Sequence, residues 1–212
     1  MATKIFLIRH GETEWSLTGR HTGRTDVPLT ANGESRAAQF RGLLQSFKFT
    51  QVLTSPLQRA RRTCDLAGFG VVARVEPDLQ EWDYGDYEGR TSMDIRAQQP
   101  RWNLFEDGSL GGESVEQISQ RADRVLAGLR PMEGTVALFS HGHFLRALAV
   151  RWIGLPVQEG RHFSLDTASL SILGYEHRHD EIPAISLWNS GSIVGFAQKE
   201  TPTNDSITGV AP

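Results

Sequence analysis

Residues 5–13 read Ile-Phe-Leu-Ile-Arg-His-Gly-Glu-Thr. Four apolar residues stop abruptly at Arg9-His10-Gly11, the length and punctuation of a β-strand buried on both faces. The pattern recurs where Thr135 to Phe139 reads as a buried strand running into Ser140-His141-Gly142-His143. In open α/β sheets, ligands bind outside the carboxyl ends of the strands, near the point where strand order reverses. Two histidines placed there independently face one crevice if their strands are neighbours. The glycines that follow them let backbone N–H groups approach an anion with no Cβ in the way.

Working outward, Thr30 reads as a helix N-cap, followed by Ala37, Phe40, Leu43, Leu44 and Phe47 at helical spacing. Gln51 to Thr54 is a short strand. Ser55 then caps a helix with Pro56 at its first position and an apolar stripe of Leu57, Ala60, Cys64 and Ala67. Val71 to Glu76 is a candidate strand, whereas Asp78 to Gly112 has no sustained period and too many tryptophans for disorder. From Glu113, Val115, Ile118, Ala122, Val125, Leu126 and Leu129 mark the clearest amphipathic helix. An apolar helix from about Phe144 to Ile153 and strands at Ser169–Leu173 and Ile185–Trp188 complete the pattern. Strands alternating with helices predict an α/β fold: a three-layer α/β/α sandwich around a mainly parallel central sheet. A single domain over residues 1–200 is expected, with 201–212 a frayed tail.

Composition narrows the function. The chain has 212 residues, 39% hydrophobic and 22% charged, with a net charge of −3. That balance fits a globular protein and offers no overall basic surface to nucleic acid or an anionic membrane. One cysteine, Cys64, excludes a disulfide framework, and the four-residue apolar run near the start is too short for a signal-peptide core or a membrane span. The expected location is therefore cytoplasmic. Nineteen of the 22 basic residues are arginine, whose planar fork matches phosphate and carboxylate oxygens. Arg59, in the first turn after Ser55-Pro56 and off the apolar stripe, can reach over the carboxyl edge of the sheet. Arg61 and Arg62 are expected to be solvated or ion-paired, and His162, His177 and His179 to lie on the surface or in loops. An anion site of arginines and histidines still needs a proton donor for a leaving group. Glu81 opens Glu-Trp-Asp-Tyr-Gly-Asp-Tyr-Glu-Gly, where a carboxyl group among aromatics could supply it. Asp83, Asp86 and Glu88 compete for the role. Trp82 is expected near the site.

These blocks resemble the signature of the histidine phosphatase superfamily, also called phosphoglycerate mutase-like. The resemblance runs from Leu7-Ile8-Arg9-His10-Gly11-Glu12-Thr13 through Thr22-Gly23, Pro28-Leu29-Thr30, Ser55-Pro56-Leu57, Arg59-Ala60, Glu81 and Glu88-Gly89 to Gly111-Gly112-Glu113-Ser114 and Ser140-His141-Gly142. It implies metal-free phosphoryl transfer in two steps: His10 attacks phosphorus, and water hydrolyses the resulting phosphohistidine. It further implies that Arg9, Arg59 and His141 bind the phosphoryl oxygens and that Glu81 protonates the leaving alkoxide. Backbone groups of Gly23 and Gly142, with the Thr22 hydroxyl, would complete the anion site. Ser16 stands where the superfamily commonly has asparagine. Tyr84 and His143 complete the expected substrate-binding set.

Three functions compete: a phosphomonoesterase, a 2,3-bisphosphoglycerate-dependent phosphoglycerate mutase, and a catalytically silent phospho-ligand binding domain. Every catalytic position of the family pattern is filled, which disfavours the last. Mutases usually carry a longer insert than the 32 positions from Glu81 to Glu113, so a phosphatase is favoured. Glu14-Trp15-Ser16, Trp102-Asn103 and His141-Gly142-His143 resemble the fungal sedoheptulose-bisphosphatase branch, which implies a small phosphorylated metabolite such as a sugar (bis)phosphate. No cofactor is expected. No metal is expected either, because a glycine and a helix start separate His141 from His143. A homodimer fits the general habit of soluble enzymes.

Overall fold

Strand β1 (Lys4–Arg9) is the axis of the molecule, and its alternation builds two cores. Ile5 and Leu7 enter one apolar cluster while Phe6 and Ile8 enter the other, and all four are essentially inaccessible to water. Burial of each such side chain stabilises the fold by about 1.5–3 kcal/mol. The computed structural model describes residues 3–176 and 179–191. The readings made for His177, for the His179 side chain and for the tail from 201 fall outside what is described.

After β1 come α1 (Glu14–Leu17), α2 (Ala31–Ala38), α3 (Phe40–Leu44), β2 (Gln51–Thr54), α4 (Gln58–Leu66) and β3 (Arg74–Val75). Then follow α5 (Ser92–Arg96), α6 (Leu104–Asp107), α7 (Val115–Leu129), β4 (Thr135–Ser140), α8 (Gly142–Trp152), β5 (Leu170–Glu176) and β6 (His179–Ser190). The strand order is β3-β2-β4-β1-β5-β6. The first four strands are mutually parallel, and β5 and β6 are antiparallel additions. Residues of α7 and α8 share the core of one face, and residues of α3 and α4 share that of the other, the expected three-layer α/β/α sandwich. Among the described residues, no helix is long and apolar enough to cross a membrane.

Several elements differ from expectation. Thr30 does cap α2, accepting from the Gly33 N–H at 3.0 Å, but the helix breaks at Gln39 and resumes as α3. Ser55 does not cap the next helix directly: α4 starts at Gln58, and the Ser55 hydroxyl accepts from the Leu57 N–H at 3.3 Å just before it and from His141 Nε2 at 2.7 Å. The strand read at Val71–Glu76 shrinks to Arg74–Val75, since Val71 and Val72 stand exposed in a turn. The segment from Asp78 to Gly112 contains α5, α6 and two turns of 3₁₀ helix, at Pro77–Leu79 and Gly85–Tyr87. Those elements are too short to show a period.

Candidate active site

The parallel register of β1 and β4 pairs Arg9 with Ser140, so the next residue of each strand, His10 and His141, emerges side by side. Their ring centroids are 5.1 Å apart. Nδ1 of His10 lies 2.7 Å from the Gly11 carbonyl. A carbonyl only accepts, so Nδ1 carries the proton and Nε2 keeps its lone pair. Burial, with Arg59 and Arg9 nearby, pushes the His10 pKa well below the usual imidazole range. The ring is thus a neutral base and nucleophile.

His141 is held by both nitrogens. Nδ1 accepts from Arg59 Nε at 3.1 Å, which places the ring proton on Nε2, 2.7 Å from Ser55 Oγ. Burial first, then Arg59, pushes its pKa well down. Arg59 is fully buried in the first turn of α4 and donates to the carbonyls of Thr22, Gly23 and Thr25 at 2.8–3.0 Å as well as to His141. One of its five N–H groups is left for an anion. Arg9 donates through Nη1 to the Leu165 carbonyl, and its buried Nε is without a partner among the described residues. A Cβ on Gly142 would lie 3.2 Å from the Arg9 guanidinium, so this glycine makes room for Arg9. Gly11 serves packing too: its Cβ would meet the Gly33 carbonyl oxygen at 2.5 Å, and its N–H donates to Thr63 Oγ1.

Glu81 reaches the N-terminus of α8. Oε1 accepts from the backbone N–H groups of Trp82 and Phe144, at 2.9 and 2.8 Å, and Oε2 from His143 at 3.0 Å. A carboxylate at a helix start satisfies orphan donors and complements the helix dipole. One position on Oε2 stays free. Arg121 of α7 fixes this acid from behind, donating to the carbonyls of Asp78, Gln80 and Glu81 and pairing with Glu113 at 2.7 Å.

A cleft of about 240 Å³ brings together Arg9, His10, Ser16, Thr22, Glu81, Tyr84 and His143 of the expected set, with Thr13, Gly19, Arg20, His21 and Ser92. Arg59, His141, Gly23 and Gly142 lie behind this lining. The Gly23 N–H, expected to face an anion, instead donates to Glu88 Oε1 at 2.8 Å, as does Thr25 N–H at 3.1 Å. The Ser16 hydroxyl is bound to the Thr13 backbone, and the Thr22 hydroxyl to the Arg20 carbonyl. His21 escaped the sequence reading although it adjoins Thr22-Gly23. It stacks on Tyr84 at 4.7 Å, meets the edge of Trp102 and approaches Ser92 Oγ at 3.2 Å. Burial lowers its pKa to about 4. Tyr84 Oη is 2.6 Å from His143 Nδ1. Burial, with Glu81 nearby, raises the Tyr84 phenol, and burial, with Arg146 nearby, lowers the His143 imidazole. Trp102, and not Trp82, stands against the cleft wall: the Trp82 indole turns into the core and donates to the Glu113 carbonyl. Arg62 pairs with Glu34 at 2.7 Å, and His162 is exposed, as expected. Among the described residues, no group of three or more His, Cys, Asp or Glu could hold a metal ion.

The family model for histidine phosphatase superfamily, branch 1, matches residues 5–190. The chain belongs to this superfamily. It is 43% identical to an acid phosphatase of Mycobacterium tuberculosis over 87% of this chain and 92% of the relative. It is 32% identical to a sedoheptulose 1,7-bisphosphatase of Saccharomyces cerevisiae over 97% and 98%. Among solved structures, a functionally characterised open reading frame product of Mycobacterium tuberculosis superposes with a TM-score of 0.83 at 40% identity, over 90% of this chain and 99% of the other. The chain brings the two strand-end histidines, the buried Arg59 and the half-buried Arg9 into one place.

Proposed function

We propose that the protein is a metal-independent phosphomonoesterase that works through a phosphohistidine, with a small phosphorylated metabolite such as a sugar (bis)phosphate as substrate. The observation that carries this reading is His10, a buried neutral imidazole whose Nδ1 proton is fixed on Gly11 and whose Nε2 is free. Nε2 attacks phosphorus in line with the ester oxygen, and the P–O bond breaks as the N–P bond forms. The half-buried Arg9 and the remaining N–H of the buried Arg59 supply positive charge to the equatorial oxygens, where partial exclusion of water strengthens the attraction. Glu81 takes up a proton from solvent at the open position on Oε2, delivers it to the departing alkoxide and then, as carboxylate again, accepts one from the water that cleaves the N–P bond. His141 orients Arg59 from behind and contacts the phosphoryl group only through a change in its own hydrogen bonds.

The cleft volume of about 240 Å³ lies below the roughly 300–1,000 Å³ of drug-sized ligand pockets and so favours a small substrate over a bulky one. The 43% identity to an acid phosphatase supports a phosphatase, while probable phosphoglycerate mutases match at 32–33% identity, level with the bisphosphatase, so 3-phosphoglycerate mutase activity is the alternative to be assayed. The lone buried Cys64 supports a reducing, cytoplasmic setting, and the match over residues 5–190 supports one catalytic domain within residues 1–200. The test is phosphate release from sedoheptulose 1,7-bisphosphate, fructose 1,6-bisphosphate, 3-phosphoglycerate and p-nitrophenyl phosphate, with EDTA throughout and His10→Ala as control. Preference for a sugar bisphosphate, lost in the variant, supports the whole reading. Activity on the generic ester alone keeps the chemistry and removes the substrate class. Inactivity on all four, or loss of activity with EDTA, overturns the reading.

A further inference from the structure

Two residues other than glycine hold a left-handed backbone among the described residues: Ala168, at φ 49°, and Asn189, at φ 54°. Such conformations persist in L residues only where the surroundings over-determine them. Ala168 lies at the back of the Arg9-His10 dipeptide, and Asn189 lies on β6, bound to the loop that carries Ala168. The Ala168 N–H donates to the His10 carbonyl at 2.9 Å, and the Ser169 carbonyl accepts the Arg9 N–H at 3.1 Å. In the same loop, the Leu165 carbonyl accepts from the Arg9 guanidinium. Three consecutive ties thus run from residues 165–169 to the two residues that meet the phosphoryl group.

The loop is closed from β6. Asp166 N–H donates to Asn189 Oδ1 at 2.7 Å, and Asn189 Nδ2 donates to Asp166 Oδ2 at 3.1 Å, a reciprocal pair. The Asp166 carbonyl accepts the Ser169 hydroxyl at 2.6 Å, and the Asn189 N–H is taken by Ser171 Oγ at 3.0 Å. Each half of the pair therefore anchors one end of a strained turn.

We infer that Asp166 and Asn189 are positioning residues for phosphoryl transfer: their mutual hydrogen bonds latch the loop 165–169 so that it aims the Arg9 guanidinium. The argument rests on the proposed role of Arg9 in binding the phosphoryl oxygens. Asp166 is exposed on the outer side of the loop and does not line the cleft, so it acts through Arg9 and not by touching substrate. Misplacement of a charged clamp by an ångström is enough to cost one or two orders of magnitude in rate.

The test measures kcat/KM on p-nitrophenyl phosphate and the inhibition constant of orthovanadate for Asp166→Ala, Asn189→Ala, their double variant, Asp166→Asn and Arg9→Ala, alone and with Asp166→Ala. Each single alanine is expected to lose roughly tenfold in kcat/KM and to weaken vanadate by a similar factor. Asp166→Ala leaves its backbone N–H on Asn189 Oδ1, so the double variant should lose no more than Asn189→Ala alone, because the pair acts as a unit. Asp166→Asn, which keeps an acceptor for Asn189 Nδ2, should recover most of the loss. Adding Asp166→Ala to Arg9→Ala should change nothing further. Losses that multiply, an unchanged vanadate constant, or a further loss in the Arg9→Ala background would overturn the latch. An Arg9→Ala variant as active as the wild type would instead overturn the functional reading beneath it.

Discussion

The side of the cleft built by strand ends and the side built by the irregular segment use histidine in different ways. His10 and His141 sit at the ends of β1 and β4, spaced by ladder register and held by backbone and buried arginine. His21 and His143 face Tyr84, with rings at 4.7 and 5.9 Å, and their partners are a phenol, a serine and one another's rings. The first side presents fixed charge and a nucleophile. The second presents neutral groups that donate or accept single hydrogen bonds. A phosphoryl group suits the former, and the hydroxyl-bearing remainder of a substrate suits the latter.

The largest expected effect removes the nucleophile: His10→Ala should lower phosphate release by about 10⁴-fold or more, and base-quenched protein should then contain none of the acid-labile phosphohistidine found in the wild type. Glu81→Gln puts an amide where three backbone N–H groups converge. It should lower kcat on alkyl phosphates by roughly 10²–10³-fold and much less on p-nitrophenyl phosphate, whose leaving group needs no proton. Equal losses on both would assign Glu81 to holding α8 alone.

Both sides share one liability. The pKa values of His10, His21, His141 and His143 all lie below the ordinary imidazole value of about 6.5, mainly because of burial. The unfolded chain therefore takes up protons that the folded chain refuses, and the stability present above pH 6.5 is lost as pH falls below it. For His21 the loss continues to about pH 4. Each group contributes on the order of 1 kcal/mol per pH unit, so Tm should fall steadily from pH 7 to pH 5. A Tm that is flat over this range would mean that these histidines take up protons in the folded chain as readily as in the unfolded one. The smallest effect belongs to the neutral wall: His21→Ala should raise KM for the preferred substrate by roughly three- to tenfold with kcat nearly unchanged, the mark of uniform binding. A fall in kcat of the same size on p-nitrophenyl phosphate would erase the distinction between the two sides.

The same division decides what could be read in advance. Arg9-His10 and Ser140-His141 were legible because an apolar run ending in a polar turn states where a strand stops, and parallel pairing then does the rest. Arg59 was placed correctly at a helix start, although its engagement with loop carbonyls has no local signal. His21, Ser92 and Trp102 were not legible as one wall. They are joined through single tertiary contacts, such as Trp102 Nε1 to the Gly108 carbonyl and the Arg20–Thr91 bridge, and not through a repeating pattern. Arg121, between the apolar positions Ile118 and Ala122, carries no sequence signal of its own. Only the folded chain shows it turned inward on the carbonyls before Glu81.

The segment 22–25 lies between Glu88, which takes its N–H groups, and Arg59, which takes its carbonyls. Opposite charges are thus joined through peptide dipoles that belong to no side chain. Alanine replacement at Thr22 or Thr25 leaves those dipoles in place, and drift of side-chain identity at these positions in related sequences would not signal a loss of duty. Proline at 25 would delete one of the links outright. The strictness of this stretch is written in its amides, where a scan of side chains does not look.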